Sequence, residues 1–354
     1  MKRTMAICLA LLMVLSLAAC GSGSSGSAAP AAPAATAAPT APAAAPAEAP
    51  AAVDSNLIAK TSDGFPSKEI TLIVPSDAGA EDDNTIRMFA KVAEQHTGVK
   101  FLVQNEGGAS GVDAMTALLK ADTDGYTMLT QSTSVAVQIG AGQTPYTKDD
   151  FYPLAGMHGG ADCIIVKGDS PYQTLEDLVN DAKANPGKLN WGAAKAIGVH
   201  SAFTMMVMHD AEIEVNYVAY DKAKDAVVGV LNGDVQVGSV SFGQIQDDFN
   251  TGNIRILATS DSEHNKLYPD VPLLSDYGYM TADGYSIYRG WFLKPGVPQE
   301  HIDYLNEVIL AVQNDAEWQE YVETVVAKDN LYMDTETFTT WFNNIIDFVQ
   351  TYMV

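Results

Sequence analysis

From Phe65 to the C-terminus, short apolar runs alternate with amphipathic stretches. Ile70–Pro75 reads as a buried strand, and Asn84–Thr97 as a helix with Ile86, Phe89, Ala90 and Ala93 on one face. Phe101–Gln104 predicts a strand, Gly111–Ala121 a helix and Tyr126–Thr130 a strand after the turn Asp122-Thr123-Asp124-Gly125. Ala155–Met157 and Asp162–Val166 read as two strands that lead into a second lobe. Helix Leu175–Ala184 and strand Lys188–Trp191 follow, then strand Val215–Tyr217, helix Asp221–Leu231, strand Val235–Ser239, helix Phe242–Asn250 and strand Ile254–Thr259. Ile287–Lys294 reads as a strand returning to the first lobe, with helices Glu300–Asn314, Glu317–Val326 and Thr335–Met353 packed on it. Such alternation predicts an α/β protein built on a parallel sheet.

Two places in this pattern have the layout of an anion seat. Asn185-Pro186-Gly187 stops a helix, because the residue before Pro is biased away from the helical region and Gly permits a reversal. After the Lys188–Trp191 strand comes a loop of small residues, Gly192 to Gly198, and an apolar helix beginning near His200-Ser201. The same order occurs earlier, with Ile70–Pro75, then Ser76 to Asp83, then a helix from about Asn84. A strand feeding a tight loop into a helix N-terminus points several N–H groups at one spot, backed by the positive end of the helix dipole. Two such seats suggest a carboxylate or phosphate ligand held between two lobes.

The first twenty residues belong to export. Lys2-Arg3 forms a charged start, Met5 to Leu17 an apolar core too short to span a bilayer, and Leu17-Ala18-Ala19-Cys20 a small-residue cleavage site. This site resembles the lipobox of bacterial lipoproteins, which implies lipidation of Cys20; the alternative is an ordinary secretory leader that happens to contain Cys20. Residues 21–64 read as a disordered tether, Gly/Ser first and then an Ala/Pro repeat from Ala28 to Ala52. The prolines bias it to polyproline, and residues 21–53 fully stretched would reach on the order of 100 Å at about 3.1 Å per residue.

A net charge of −24 argues against nucleic acid or an anionic membrane surface as a partner, and removal of the leader takes away two cations and no acid. Contact with a membrane is expected only through the lipid. Of three cysteines, Cys163 alone remains after processing apart from the anchor, and its apolar setting predicts an inert buried thiol.

Catalytic motifs are scarce. Ser110 lacks the second Gly of a nucleophile elbow, the six His are scattered, and Asp122-x-Asp124-Gly125 lacks the later ligands of a calcium loop. No enzyme, cofactor or metal is predicted. The acidic run Glu81-Asp82-Asp83 has two readings: first-turn acids matched to the helix dipole, or a carboxylate facing the cleft that selects a cationic group on the ligand. His200 is balanced between a first-turn residue and a ligand contact, whereas Trp191 and Trp291 read as packing.

Thr174-Leu175-Glu176-Asp177-Leu178 followed by Ala182-Lys183-Ala184-Asn185-Pro186-Gly187-Lys188-Leu189-Asn190 resembles a block of the tripartite tricarboxylate transporter substrate-binding proteins, the Bug family of solute receptors. Phe65-Pro66-Ser67-Lys68, Asp124-Gly125-Tyr126-Thr127, Pro269-Asp270-Val271-Pro272 and Gly290-Trp291-Phe292-Leu293-Lys294-Pro295-Gly296-Val297-Pro298 support the resemblance in order along the chain. It implies a two-lobed periplasmic-binding-protein fold with two crossing strands and a ligand cleft between the lobes. Lobe 1 would comprise 65–158 and 288–354, and lobe 2 would comprise 159–287.

The resemblance further implies a monomeric receptor that closes on a small carboxylate or amino-acid ligand and delivers it to integral membrane transporter subunits. Carried over by position, the first loop offers Ser76, Asp77, Ala78, Gly79, Glu81 and Asp83, with Arg87 matching the following Arg of the family. The second loop offers Ala193, Ala194, Gly198, His200 and Ser201, and Ser241 follows the Val235–Ser239 strand. The chain departs from the family where three glycines become Gly79-Ala80-Glu81, and where Asp-Asn becomes Val240-Ser241. Two like charges about 5 Å apart at an effective dielectric of ~20 repel by roughly 3 kcal/mol, so an inward Glu81 or Asp82 favours a monocarboxylate or amino acid over citrate. A sensory or structural lipoprotein on the same fold is the alternative, and a secreted hydrolase a more distant one.

Overall fold

The structure is a computed structural model that describes residues 57–108, 111–261, 263–266, 268–279, 286–326 and 330–354. The leader, Cys20, most of the tether and Ser110 lie outside the described residues. The strands are β1 (Ile70–Val74), β2 (Phe101–Asn105), β3 (Thr127–Ser132), β4 (Tyr152–Lys167), β5 (Asn190–Ala194), β6 (Asn216–Tyr220), β7 (Val237–Ser241), β8 (Ile254–Thr259) and β9 (Ser286–Leu293). The helices that use the site or the core are α1 (Glu81–Thr97), α2 (Val112–Lys120), α3 (Ser134–Gly140), α4 (Leu175–Ala184), α5 (Val199–Ala211) and α6 (Ala223–Asn232). A short α7 (Gln246–Asn250) precedes β8, and α8 (Gln299–Gln313), α9 (Ala316–Tyr321) and α10 (Thr335–Tyr352) end the chain.

One mixed sheet runs in the order β2-β1-β3-β9-β4-β7-β5-β6, with β8 on the other edge of β4. Its ends are parallel, β2-β1-β3 on one side and β7-β5-β6 on the other, as right-handed strand–helix–strand units require. The middle is antiparallel. β4 is the seam: its residues from Tyr152 to Ala161 pair with β9, and those from Asp162 to Lys167 pair with β7 and β8. The sheet therefore has two halves that share one strand.

In the first half, Phe89 of α1 packs 4.7 Å from Trp291 and 5.8 Å from Trp318, between ring centroids, over a layer that includes Leu72 and Val308. Burying a ring such as Phe89 contributes about 2–3 kcal/mol. The opposite face carries α2, α3 and α10, with Phe338, Trp341 and Phe342 against Phe292 and Tyr288. In the second half, Ile165, Val230 and Val240 form a separate cluster with Phe242 and Tyr268. Trp191 and Trp291 are both fully buried, as packing residues.

Smaller shifts apart, such as the expected strand Val235–Ser239 lying at Val237–Ser241 with Ser241 inside it and the expected helix Phe242–Asn250 breaking at Ile245, the structure departs from the sequence pattern in four places that bear on the site or its framework. α1 opens at Glu81 rather than near Asn84, so Glu81, Asp82 and Asp83 form its first turn, where acids favour the dipole. β4 is one strand of sixteen residues, not two; Gly156, Gly159 and Gly160 had broken its apolar alternation. β5 continues to Ala194 instead of ending at Trp191. Gly192 marks no loop there: a Cβ would lie 2.8 Å from the Tyr220 ring, so close packing requires its absence. α3 lay outside the expected elements, because its seven residues are too few to display a helical period.

Candidate functional site

The first loop follows β1 and is held from within. Ser76 carbonyl accepts from Asn105 Nδ2 at 3.2 Å, and the buried Ser76 Oγ has no partner among the described residues. Asp77, Ala78 and Gly79 are exposed, and Gly79 turns the chain at φ 84°, in the left-handed region that favours glycine. Its N–H donates to Asp83 Oδ2 at 2.7 Å. The same carboxylate, almost fully buried, accepts from Arg87 at 2.9 and 3.0 Å and from Asn105 at 2.9 Å. Burial alone would push the Asp83 carboxyl up, but the donors from Arg87, Gly79 and Asn105 outweigh it and hold the group below its ordinary value. Asp83 is thus turned into the protein as a latch that fixes the loop, while Glu81 is exposed.

Asp82 points inward and is compensated. Arg289 Nη2 donates to its Oδ1 at 2.6 Å, and the Arg289 side chain is only 11% exposed. Nε and Nη1 of this guanidinium have no hydrogen-bond partner among the described residues. Arg289 lies on β9, opposite His158 of β4 and Ser132 of β3. Asp82 therefore brings no bare negative charge, which removes the premise that set the first loop against a polycarboxylate.

The second loop is pinned by its neighbour strand. Lys195, at φ 62°, donates its N–H to Tyr220 carbonyl at 2.7 Å and accepts from Tyr217 Oη at 2.6 Å. Gly198 is extended at φ −177°, and its N–H donates to Ser201 Oγ at 2.7 Å; the hydroxyl returns a bond to Gly198 carbonyl. Ser201 is thereby an internal cap of α5, fully buried, and Ala193 is likewise buried inside β5, off the loop. Ala194, Gly198 and His200 remain on the surface of the cleft.

These three line a cavity of about 470 Å³ together with Lys195 and Ile197 of the loop, Val199 at the start of α5, and Ser134, Val137, Gln138 and Gln143 from α3 and the turn after it. The cavity joins the N-terminus of α5 to the N-terminal turn of α3, and so joins residues from both halves of the sheet. Among the described residues, no carboxylate lines it. His200 Nδ1 donates to Oδ1 of Asp162 at 2.7 Å; Asp162 is wholly buried on β4, opposite Ser241 of β7. Burial acts to lower the His200 pKa, but the Asp162 charge and its hydrogen bond raise it above the ordinary 6.5.

The first-loop residues Ser76 to Asp83 are not among those lining this cavity. Sequence reasoning also missed Ser134 and Gln138, Asp162 and Arg289. The last two had a signal: each is a lone charge inside an apolar strand, a setting in which such residues are rarely buried unless paired.

A two-half α/β fold joined at a shared strand, with a cleft between loop-to-helix turns, defines a two-lobed solute receptor of the periplasmic-binding type. The chain belongs to the tripartite tricarboxylate transporter family receptors, whose family model matches residues 85–340. It is 28% identical over 225 residues to Protein BugT of Bordetella pertussis, spanning 62% of this chain and 68% of that one. A TctC solute-binding protein from Polaromonas, solved without ligand, superposes with a TM-score of 0.75 at 24% identity over 81% of this chain and 98% of its own. MatC from Rhodopseudomonas palustris, solved with bound malate, does so with a TM-score of 0.58 at 17% identity over 82% and 100%. The family is one of receptors. Among the described residues, no helix is long and apolar enough to cross a membrane.

Proposed function

We propose that this protein is a lipid-anchored extracytoplasmic receptor that captures a small carboxylate-bearing metabolite and delivers it to a tripartite tricarboxylate-type transporter. The observation that carries the reading is the cavity's charge. In a chain with 44 Asp and Glu against 20 Lys and Arg, the cavity wall holds Lys195, His200 and the N-terminus of α5 and, among the described residues, no acid. A cleft that presents cations and a helix N-terminus in so acidic a chain is suited to an anion. The malate in MatC supports an acid of this size class.

Capture would proceed by closure of lobe 1 (65–158 and 288–354) on lobe 2 (159–287) about the crossing strands. Ala194, Gly198 and His200 would meet the ligand from one side and Ser134 and Gln138 from the other. Cys20 would carry the lipid and residues 21–64 the tether. With Asp82 paired to Arg289, acids of one or several carboxylates remain admissible. Titration calorimetry of the chain with acetate, succinate, malate and citrate, each against its uncharged amide, tests the reading. Binding of at least one acid with none for its amide is expected; equal binding of amide and acid would refute an anion-selective cleft.

A further inference from the structure

The Asp162 carboxylate is fully buried in the seam strand, and only one of its oxygens, the one on His200, has a partner among the described residues. His200 in turn lines the cavity. Building on the carboxylate reading above, we propose that Asp162 is the positioning residue of the cleft: it anchors His200 Nδ1 and keeps the ring as an imidazolium whose Nε2 donates to a ligand carboxylate.

Three observations carry this. A carboxylate oxygen only accepts, so Nδ1 must bear a proton, and a second proton at Nε2 then makes the ring a cation facing an anion. The bond also ties an α5 side chain to β4, fixing the ring where the two halves of the sheet meet. Finally, among the described residues Asp162 is the acid bonded to His200. Asp261, beyond β8, is instead bonded to Thr259 and Tyr268, and burial raises its carboxyl above the ordinary value. His158, four residues earlier on β4, packs near Trp318. Lys195 is a cation on the cavity wall beside His200, α3 contributes the uncharged Ser134, Val137 and Gln138, and β7 places Ser241 opposite Asp162. Tyr217 of β6 has its phenol pushed up to about 12 by burial and stays neutral.

The inference makes ligand capture pH-dependent. Affinity should be full while His200 is protonated and should fall by up to about tenfold per pH unit above its midpoint, until only the neutral ring binds. Asp162→Asn keeps the shape and removes the charge. Calorimetry with succinate and malate on the wild type, Asp162→Asn and His200→Gln, from about pH 6 to 8.5, reads the effect. Expected are a roughly tenfold loss in Asp162→Asn at neutral pH, a similar loss in His200→Gln, and a flat pH profile in both. An Asp162→Asn variant with wild-type affinity and wild-type profile overturns the proposal and leaves the receptor reading intact. Binding of neither acid, nor of acetate or citrate, to the wild type refutes the carboxylate reading instead. The positioning claim is then still read by histidine-labelled NMR of the wild type, which also serves if a variant fails to fold. A His200 midpoint above the free-imidazole value with both ring nitrogens protonated supports the claim, and a midpoint at or below that value overturns it.

Discussion

Arg289 Nη2 donates to Asp82 Oδ1 across 2.6 Å, linking the strand that returns from the second half of the sheet to the first turn of α1. The guanidinium is nearly buried and the carboxylate a quarter exposed, so solvent screens the pair in part. Removing one partner of such a pair costs more than removing both, because a buried charge is left without its counter-ion. Asp82→Ala should therefore destabilise by about 1–2 kcal/mol in urea denaturation, and Arg289→Leu with Asp82→Leu by less than the sum of the single changes. Additive losses would show that the two side chains act independently.

Much of the fold was legible because its determinants are local. Thr174 caps α4 through a reciprocal bond with Asp177, and Asn185-Pro186-Gly187 ends the same helix, both signals written in consecutive residues. The chemistry of the cleft was less so. Asp162 meets His200 thirty-eight positions away, and Arg289 meets Asp82 across most of the chain, so the sequence around each showed only a charge in an apolar run. Gly192 misled for a related reason: its small size answers to Tyr220, a residue on another strand. The loops are shorter than the sequence pattern suggested, since α1 takes Glu81 to Asp83 from the first and β5 takes Gly192 to Ala194 from the second, and which of their groups face outward depends on bonds such as Gly198 to Ser201 that spacing alone does not reveal.

The Asp83 latch predicts an acid limb of stability. Its carboxyl lies lower in the folded protein than its ordinary value of 3.8, so its contribution is complete above that value and is lost as pH falls through the folded one. Asp83→Asn should lower stability at neutral pH by about 1–3 kcal/mol, from weakened bonds to Arg87 and to the Gly79 N–H. Its stability should also vary less with pH below about 4 than that of the wild type. Urea titrations across this range check both, and parallel curves for the two proteins would contradict the latch.

Gly192→Ala places a Cβ 2.8 Å from the Tyr220 ring and 3.0 Å from Val235. Overpacking of this kind costs about 1–3 kcal/mol. Because the Tyr220 carbonyl also holds the Lys195 N–H, displacing the strand should weaken ligand capture as well as lower Tm. A variant with unchanged Tm and affinity would mean that the ring yields freely.

Cys163 is fully buried on β4, where burial first and the nearby Asp261 and Asp162 charges second push the thiol well above its ordinary value. It should resist alkylation in the folded chain at neutral pH and react once denaturant unfolds it. Mass spectrometry after iodoacetamide treatment, with and without denaturant, reads this directly, and rapid labelling of the native chain would contradict the packing.

Whether the cleft holds a small acid is read by native mass spectrometry of residues 54–354, purified without denaturation. Expected is a co-purified species of metabolite mass that carries at least one carboxylate and leaves when Lys195 and His200 are replaced by uncharged residues. A bound molecule without an acidic group, or an acid retained unchanged by that double variant, would contradict it.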